Sequence, residues 1–320
     1  MFLDYQGHIN FLTGVCFVSV IPERVFIREV GPRDGLQNES KILSTDDKVV
    51  WIDQLSETGL DYIEVSSFVS SKWIPPLADA LQVFRKIRRV KGVTYAALVP
   101  NVKGLEQAFK ADVDEVVIFL SASESHNHKN LNRSIKDSLN NCRDVCQRAL
   151  SEGLSVRAYI STVFGCPYEG HIPFDKTMGI AQILLEGGVH EIAFADTIGV
   201  STPRQVSKFL DLALKLVNSD RVSLHFHDTR GTGLANVLTG LEYGVFKFDS
   251  AIGGLGGCPY APGAAGNITT EDLIYMLKGM DIRTDIDYEP LMESAMFIRD
   301  RFAERQLPSH ALQSTCSTLS

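Results

Sequence analysis

The chain has no surplus of basic residues: 31 lysines and arginines stand against 39 aspartates and glutamates, a formal charge of −8. Such a chain lacks the positive surface that meets nucleic-acid phosphate, so no nucleic-acid partner is expected. The cluster Arg85-Lys86-Ile87-Arg88-Arg89 reads as a solvated helix face. No membrane partner is expected either. The apolar stretch from Ile9 to Ile21 is short, is broken by Gly14, and follows Asp4 instead of a basic cluster. It is not Arg-rich. Residues 1–24 therefore read as an N-terminal extension outside the fold, and a cytoplasmic location is expected. The six cysteines are scattered and form no CxxC pair, so neither a disulfide framework nor a zinc ribbon is indicated. Cys142 and Cys146 read as small buried side chains of a helix. The GxGxxG and P-loop patterns of phosphate cradles are also absent.

What is present is a repeating unit: a short β-branched run, a loop, then a helical stretch. Eight runs can be counted, at Val25–Val30, Tyr62–Ser66, Val93–Val99, Glu115–Leu120, Ser155–Ile160, Glu191–Ala195, Val222–Phe226 and Lys247–Ala251. Most are near-continuous apolar segments, as parallel strands buried on both faces require. Helices are predicted between them. Ser44 can cap one, Pro76 opens another, Thr202-Pro203 starts a third, and Thr269 to Asp272 resembles a capping box. Alternating β and α units imply a parallel sheet. Eight units over some 250 residues fit a closed (β/α)8 TIM barrel better than an open doubly wound sheet, the alternative. The expected fold is thus α/β, a barrel over residues 25–300 with an extra C-terminal helix, then a tail over 301–320. In such a barrel, chemistry sits where strands end and run into helices.

The chemically expressive residues fall at those places. Arg33 and Asp34 follow the first strand, where a carboxylate can bind a hard cation and a guanidinium an oxyanion. Glu64 lies inside the second strand and needs a partner, for which Arg33 is the nearest choice. His225 and His227 are two apart at the end of the seventh strand, so both imidazoles face one way. Two histidines with oxygen ligands suit Mg2+, Mn2+ or another first-row ion. The segment Gly253-Gly254-Leu255-Gly256-Gly257-Cys258 reads as a mobile lid whose Cys258 can move a proton, followed by Asn267 as a neutral oxygen ligand. Asp196 and His126 are candidates to support those ligands from behind. Lys129 and Asn130 are candidate contacts for an anionic, phosphate-bearing ligand.

Several of these segments together resemble the HMG-CoA lyase family. They are EVGPRDGLQNE at 29–39, IEVSSFVSSKWIPPLADA at 63–80, ADTIG at 195–199, HFHDTRGTGLAN at 225–236 and GGLGGCPYAPGAAGNITTEDL at 253–273. The similarity runs over roughly residues 22–300. It implies a carbon–carbon lyase that cleaves 3-hydroxy-3-methylglutaryl-CoA to acetyl-CoA and acetoacetate, as in leucine degradation. It implies a divalent cation, Mg2+ or Mn2+, held by Asp34, His225, His227 and Asn267. Arg33 would bind the substrate's carbonyl oxygen, Glu64 would complete an Asp–Arg–Glu constellation, and Cys258 would be a catalytic thiol. His225 or Asp34 would help move the hydroxyl proton. The expected partner is an acyl-CoA, and the expected assembly a homodimer. A related lyase or synthase acting on another 3-hydroxyacyl-CoA or 2-oxo acid is the alternative. Arg230, Ser71 and Ala251 depart from the family pattern, and Arg230 adds charge beside the metal loop.

Overall fold

The computed structural model describes residues 21–256 and 266–317. Eight parallel strands close on themselves in sequence order. They are β1 (Phe26–Glu29), β2 (Tyr62–Ser67), β3 (Thr94–Leu98), β4 (Glu115–Ser121), β5 (Ser155–Ser161), β6 (Glu191–Asp196), β7 (Val222–Phe226) and β8 (Lys247–Ser250). The helices α1 (Thr45–Ser56), α2 (Ala80–Lys86), α3 (Val102–Lys110), α4 (Glu124–Leu131) and α5 (Ile135–Ser151) follow the first four strands. The others are α6 (Phe174–Glu186), α7 (Pro203–Leu216), α8 (Gly233–Glu242), α9 (Thr270–Gly279), α10 (Tyr288–Arg301) and α11 (His310–Ser317). The expected closed barrel is therefore the observed fold, and every predicted strand is present within one or two residues of its expected ends. The extension at 1–24 lies largely outside the described residues.

Local chemistry accounts for much of this order. Ser44 accepts the amide of Asp47 at 3.0 Å and starts α1. Thr202 and Gln205 form a reciprocal cap on α7, with Pro203 in its first turn. Thr269 differs from expectation. It precedes α9, but its buried hydroxyl makes no bond and caps nothing. The packing also continues past residue 300. Leu307 and Leu312 are buried in the main core, and α11 stands within the segment expected to be a tail. Cys142 and Cys146 are buried free thiols, as expected.

The main apolar core lies between barrel and helices, and a smaller cluster with Tyr62, Leu98, Val117 and Tyr159 occupies part of the lumen. The rest of the lumen is ionic. Arg157, without exposure, donates to Glu191 at 2.7 Å, to the Tyr159 hydroxyl at 2.9 Å and to Ser223 at 2.8 Å. It also meets Asp249. Arg28 and Lys247 reach the same Glu191 at 3.1 and 2.7 Å. TIM-barrel lumens are ordinarily filled by branched aliphatic side chains. Here buried charges take that place, and each is stable only because its partners are present.

Burial alone would raise the Glu191 carboxyl, but Arg28, Arg157 and Lys247 outweigh it and hold it at about 2, against an ordinary 4.5. A depressed folded-state pKa stabilises the fold above the unfolded value and loses that contribution as pH falls. Urea unfolding of the wild type should thus show stability dropping between pH 4.5 and pH 2. Glu191→Gln should be less stable at pH 7, by about 3–5 kcal/mol for a broken buried pair, with a shallower acid slope. Equal slopes would contradict this role.

Candidate active site

The site is built where β1, β2, β7 and β8 end. After β1 the chain makes one wide turn, Gly31–Gly35, in which the Gly35 amide reaches back to the Val30 carbonyl at 3.2 Å. Single turns of this π type are frequent at functional sites. Glu29 ties the turn down. Its carboxylate accepts from the amides of Gly31 (2.8 Å) and Ile252 (3.1 Å) and from Thr270 Oγ1 (2.6 Å). Burial nevertheless pushes this carboxyl up to about 8, since no cation faces it. The turn brings Arg33 and Asp34 into the barrel mouth. Arg33 donates to Glu64 through Nε (2.6 Å) and Nη2 (3.2 Å), and to Asp34 through Nη1 (2.5 Å). The expected Arg33–Glu64 pair is thus present as a two-point contact, with the guanidinium 5.3 Å from the Tyr159 ring.

Asp34, His225 and His227 come together, each offering an atom within 4.8 Å of the others. Asn267 stands beside His227 in an isolated antiparallel bridge and donates its amide to Asp34 Oδ2 at 2.8 Å. That bond leaves the Asn267 side-chain oxygen buried without a partner, and Nδ1 of His227 is in the same condition. Two buried polar atoms without partners next to a carboxylate fit a cation site. The electrostatics agree. Burial, reinforced by His225, lowers the His227 pKa to about 4, so the ring is a neutral ligand at pH 7. Burial works against ionised Asp34, yet Arg33, His225 and His227 together hold its carboxyl below the usual range. An ionised carboxylate, two imidazoles and an amide oxygen suit a divalent ion.

The remaining expected residues divide. The Asp196 carboxylate interacts electrostatically with His225 of the cluster, while its hydrogen bonds go elsewhere. It accepts from the Val200 and Ser201 amides (3.0 and 2.8 Å) and from Ser201 Oγ (2.6 Å), bracing the β6–α7 turn. Its backbone carbonyl receives the His227 amide at 3.4 Å. His126 is buried on α4 with its ring 6.3 Å from that of Tyr168, outside the three-residue cluster. Lys129 lies 4.0 Å over the Tyr168 ring, and both it and Asn130 are exposed on α4. Arg230 donates to the Gly199 carbonyl at 3.2 Å, linking the two loops after β6 and β7. Cys258 lies outside the described residues. Two neighbours of the cluster went unread in the sequence. Gln37 donates to Asp34 Oδ1 at 2.7 Å, and Asp249 lies 3.2 Å from Nδ1 of His225. Gln37 stands three residues beyond Asp34 in the same motif, and that spacing was its only signal. Asp249 had one too: an acidic residue in an apolar strand, like Glu64.

A closed parallel barrel with this carboxylate–imidazole cluster at the C-terminal ends of its strands defines a TIM-barrel enzyme with a cation-type site. Residues 24–298 match the model of the HMGL-like family, so the chain belongs to that family. Its relatives are carbon–carbon lyases. One is the hydroxymethylglutaryl-CoA lyase of Bacillus subtilis, 51% identical over 91% of this chain and 97% of the relative. A crystal structure of the Bacillus subtilis HMG-CoA lyase superposes with TM-score 0.91 at 50% identity, covering 92% of this chain and 99% of that one. An HMG-CoA lyase from Acinetobacter baumannii, in complex with coenzyme A and 3-methylmalate, superposes at 0.87 with 39% identity over 91% of this chain and 95% of that one.

Gly256 shapes the site. It has φ +98°, and an added Cβ would come within 2.6 Å of the Asn267 amide nitrogen. Gly92 has a comparable φ of +95° with nothing within 4 Å. Gly92→Ala should cost about 1–2 kcal/mol, the backbone strain alone. Gly256→Ala should cost clearly more in urea denaturation, because Asn267 must also move. Equal losses would show that Gly256 does not position Asn267.

Proposed function

We propose that the chain cleaves (S)-3-hydroxy-3-methylglutaryl-CoA to acetyl-CoA and acetoacetate, a retro-Claisen reaction. The observation that carries this reading is the cluster of Asp34, His225 and His227 beside Arg33, in a chain 51% identical to a lyase of that name. Asp34, His225, His227 and the Asn267 side-chain oxygen would hold a divalent cation, Mg2+ or Mn2+. A bound ion of this kind supplies Lewis acidity toward the substrate's oxygens.

The chain's own groups have the following parts. The tertiary hydroxyl gives its proton to a basic group of the cluster, Asp34 or His225. The bond between the carbinol carbon and the thioester α-carbon breaks. The oxygen's electron pair closes the ketone of acetoacetate, and the pair of the broken bond leaves as the enolate of acetyl-CoA. Of the five guanidinium N–H groups of Arg33, three are committed to Glu64 and Asp34. The other two are available to stabilise negative charge on the reacting oxygen. Glu64 keeps that guanidinium in place. Cys258 donates the proton that converts the enolate carbon to a methyl group. Lys129 and Asn130 are assigned to the anionic part of the CoA, and Asp196 and His126 to support of the loops around the cluster. The working unit is read as a homodimer, as the resemblance implies, and its location as cytoplasmic from the scattered cysteines and the N-terminal sequence. Among the described residues no helix is long and apolar enough to cross a membrane.

The test is acetoacetate release from HMG-CoA by chelator-treated protein, with and without added Mg2+. Cleavage restored by the metal is expected; no cleavage by metal-loaded protein overturns the substrate assignment. Cys258→Ser should leave Mn2+ affinity unchanged and lower turnover about 10²–10⁴-fold, the usual worth of a positioned acid. His227→Ala should instead weaken Mn2+ binding. Full Mn2+ affinity in that variant would remove His227 from the ligand set.

A further inference from the structure

His225 enters the cluster with one ring nitrogen already engaged. β7 and β8 pair in a register that sets His225 directly opposite Asp249, so both side chains emerge on the same face. Nδ1 of His225 lies 3.2 Å from Oδ2 of Asp249. That carboxylate is buried and cannot turn freely. Its Oδ1 receives Ser223 Oγ at 3.0 Å and the Arg157 guanidinium, while its Oδ2 faces the Tyr159 hydroxyl at 2.6 Å. Arg157 is fixed in turn by Glu191 at 2.7 Å. Held between these donors, Asp249 is ionised and can only accept. The nitrogen facing it must therefore carry the proton, so that in the neutral ring the lone pair of His225 sits on Nε2. His227 has no such support, since its Nδ1 is buried and unbonded.

We propose that Asp249 is a positioning residue for the cation site: it fixes the Nδ1–H tautomer and ring angle of His225, so that Nε2 is presented to Asp34 and His227. The proposal rests on the metal reading above. Histidines that bind metals are commonly oriented by a carboxylate on the far nitrogen, and losing it lowers metal affinity about 10–100-fold. The arrangement reaches further here. The Tyr159 hydroxyl also lies 2.9 Å from Glu64 Oε2, and Glu64 holds Arg33. One carboxylate thus braces a proposed cation ligand and stands one hydroxyl away from Glu64, the carboxylate that holds Arg33. If Asp249 served only to neutralise Arg157, its loss would weaken the fold and leave cation affinity untouched.

The experiment is Mn2+ titration of the full metal-free chain, by calorimetry or electron paramagnetic resonance, for wild type, Asp249→Asn, His225→Ala and the double variant. Asp249→Asn should bind Mn2+ about 10–100-fold more weakly. The double variant should be no weaker than His225→Ala alone, because Asp249 acts through His225. Wild-type Mn2+ affinity in Asp249→Asn, with only the melting temperature lowered, overturns the proposal. A wild-type chain that takes up no Mn2+ overturns the metal reading and the proposal with it. Should Asp249→Asn not fold, 15N NMR of histidine-labelled wild type decides. His225 protonated at Nδ1 supports the proposal, and protonation at Nε2 overturns it.

Discussion

The contact between Arg157 and the carboxylates of Glu191 and Asp249 is the constraint on which the interior depends. These groups come from β5, β6 and β8 and meet inside the closed barrel. Any shift of strand register would leave a charge buried without a partner, at a cost of several kcal/mol. A lumen filled with aliphatic side chains would tolerate small slips; this one does not. The same atoms that hold the strands in register also reach the mouth of the barrel through Tyr159, Glu64 and Asp249. The rigidity needed for a fixed set of cation-binding atoms is therefore a by-product of how the lumen is filled.

Arg33, Asp34, His225 and His227 sit on strand ends or on a turn tied down by Glu29. Asn267 joins them from across the glycine-rich segment, its side-chain amide donating one hydrogen bond to Asp34 and another to the Leu255 carbonyl at 3.0 Å. The part that must be placed accurately is held by buried charge and backbone. The proposed proton donor Cys258 lies in the glycine-rich segment of the sequence.

Much of this was legible in the sequence because parallel strands buried on both faces announce themselves as apolar runs. The spacing of His225 and His227 and the adjacency of Arg33 and Asp34 were legible for the same local reason. Glu64 was read because a charge in such a run demands a partner. Arg157, Glu191 and Asp249 carried the same signal but were passed over, since their partners lie 34 and 92 residues away and only barrel closure brings them together. Asp196 and His126 were read from their proximity to strand ends, which fixes the end of the barrel on which they lie. Thr269 has the residue type of a cap without its bond, because its hydroxyl is buried away from the helix amides. The burial of Leu312 goes with the packing of α11 against α9 and α10, which no local pattern reveals.

Asp34, His225, His227 and Asn267 are proposed as the cation site. Anomalous diffraction at the manganese edge, from crystals of the full chain grown with Mn2+, tests it most directly. The account predicts one strong peak bonded to the Asp34 carboxylate, the Asn267 oxygen, Nε2 of His225 and one ring nitrogen of His227. A peak elsewhere, or an empty cluster in the presence of excess Mn2+, would contradict it.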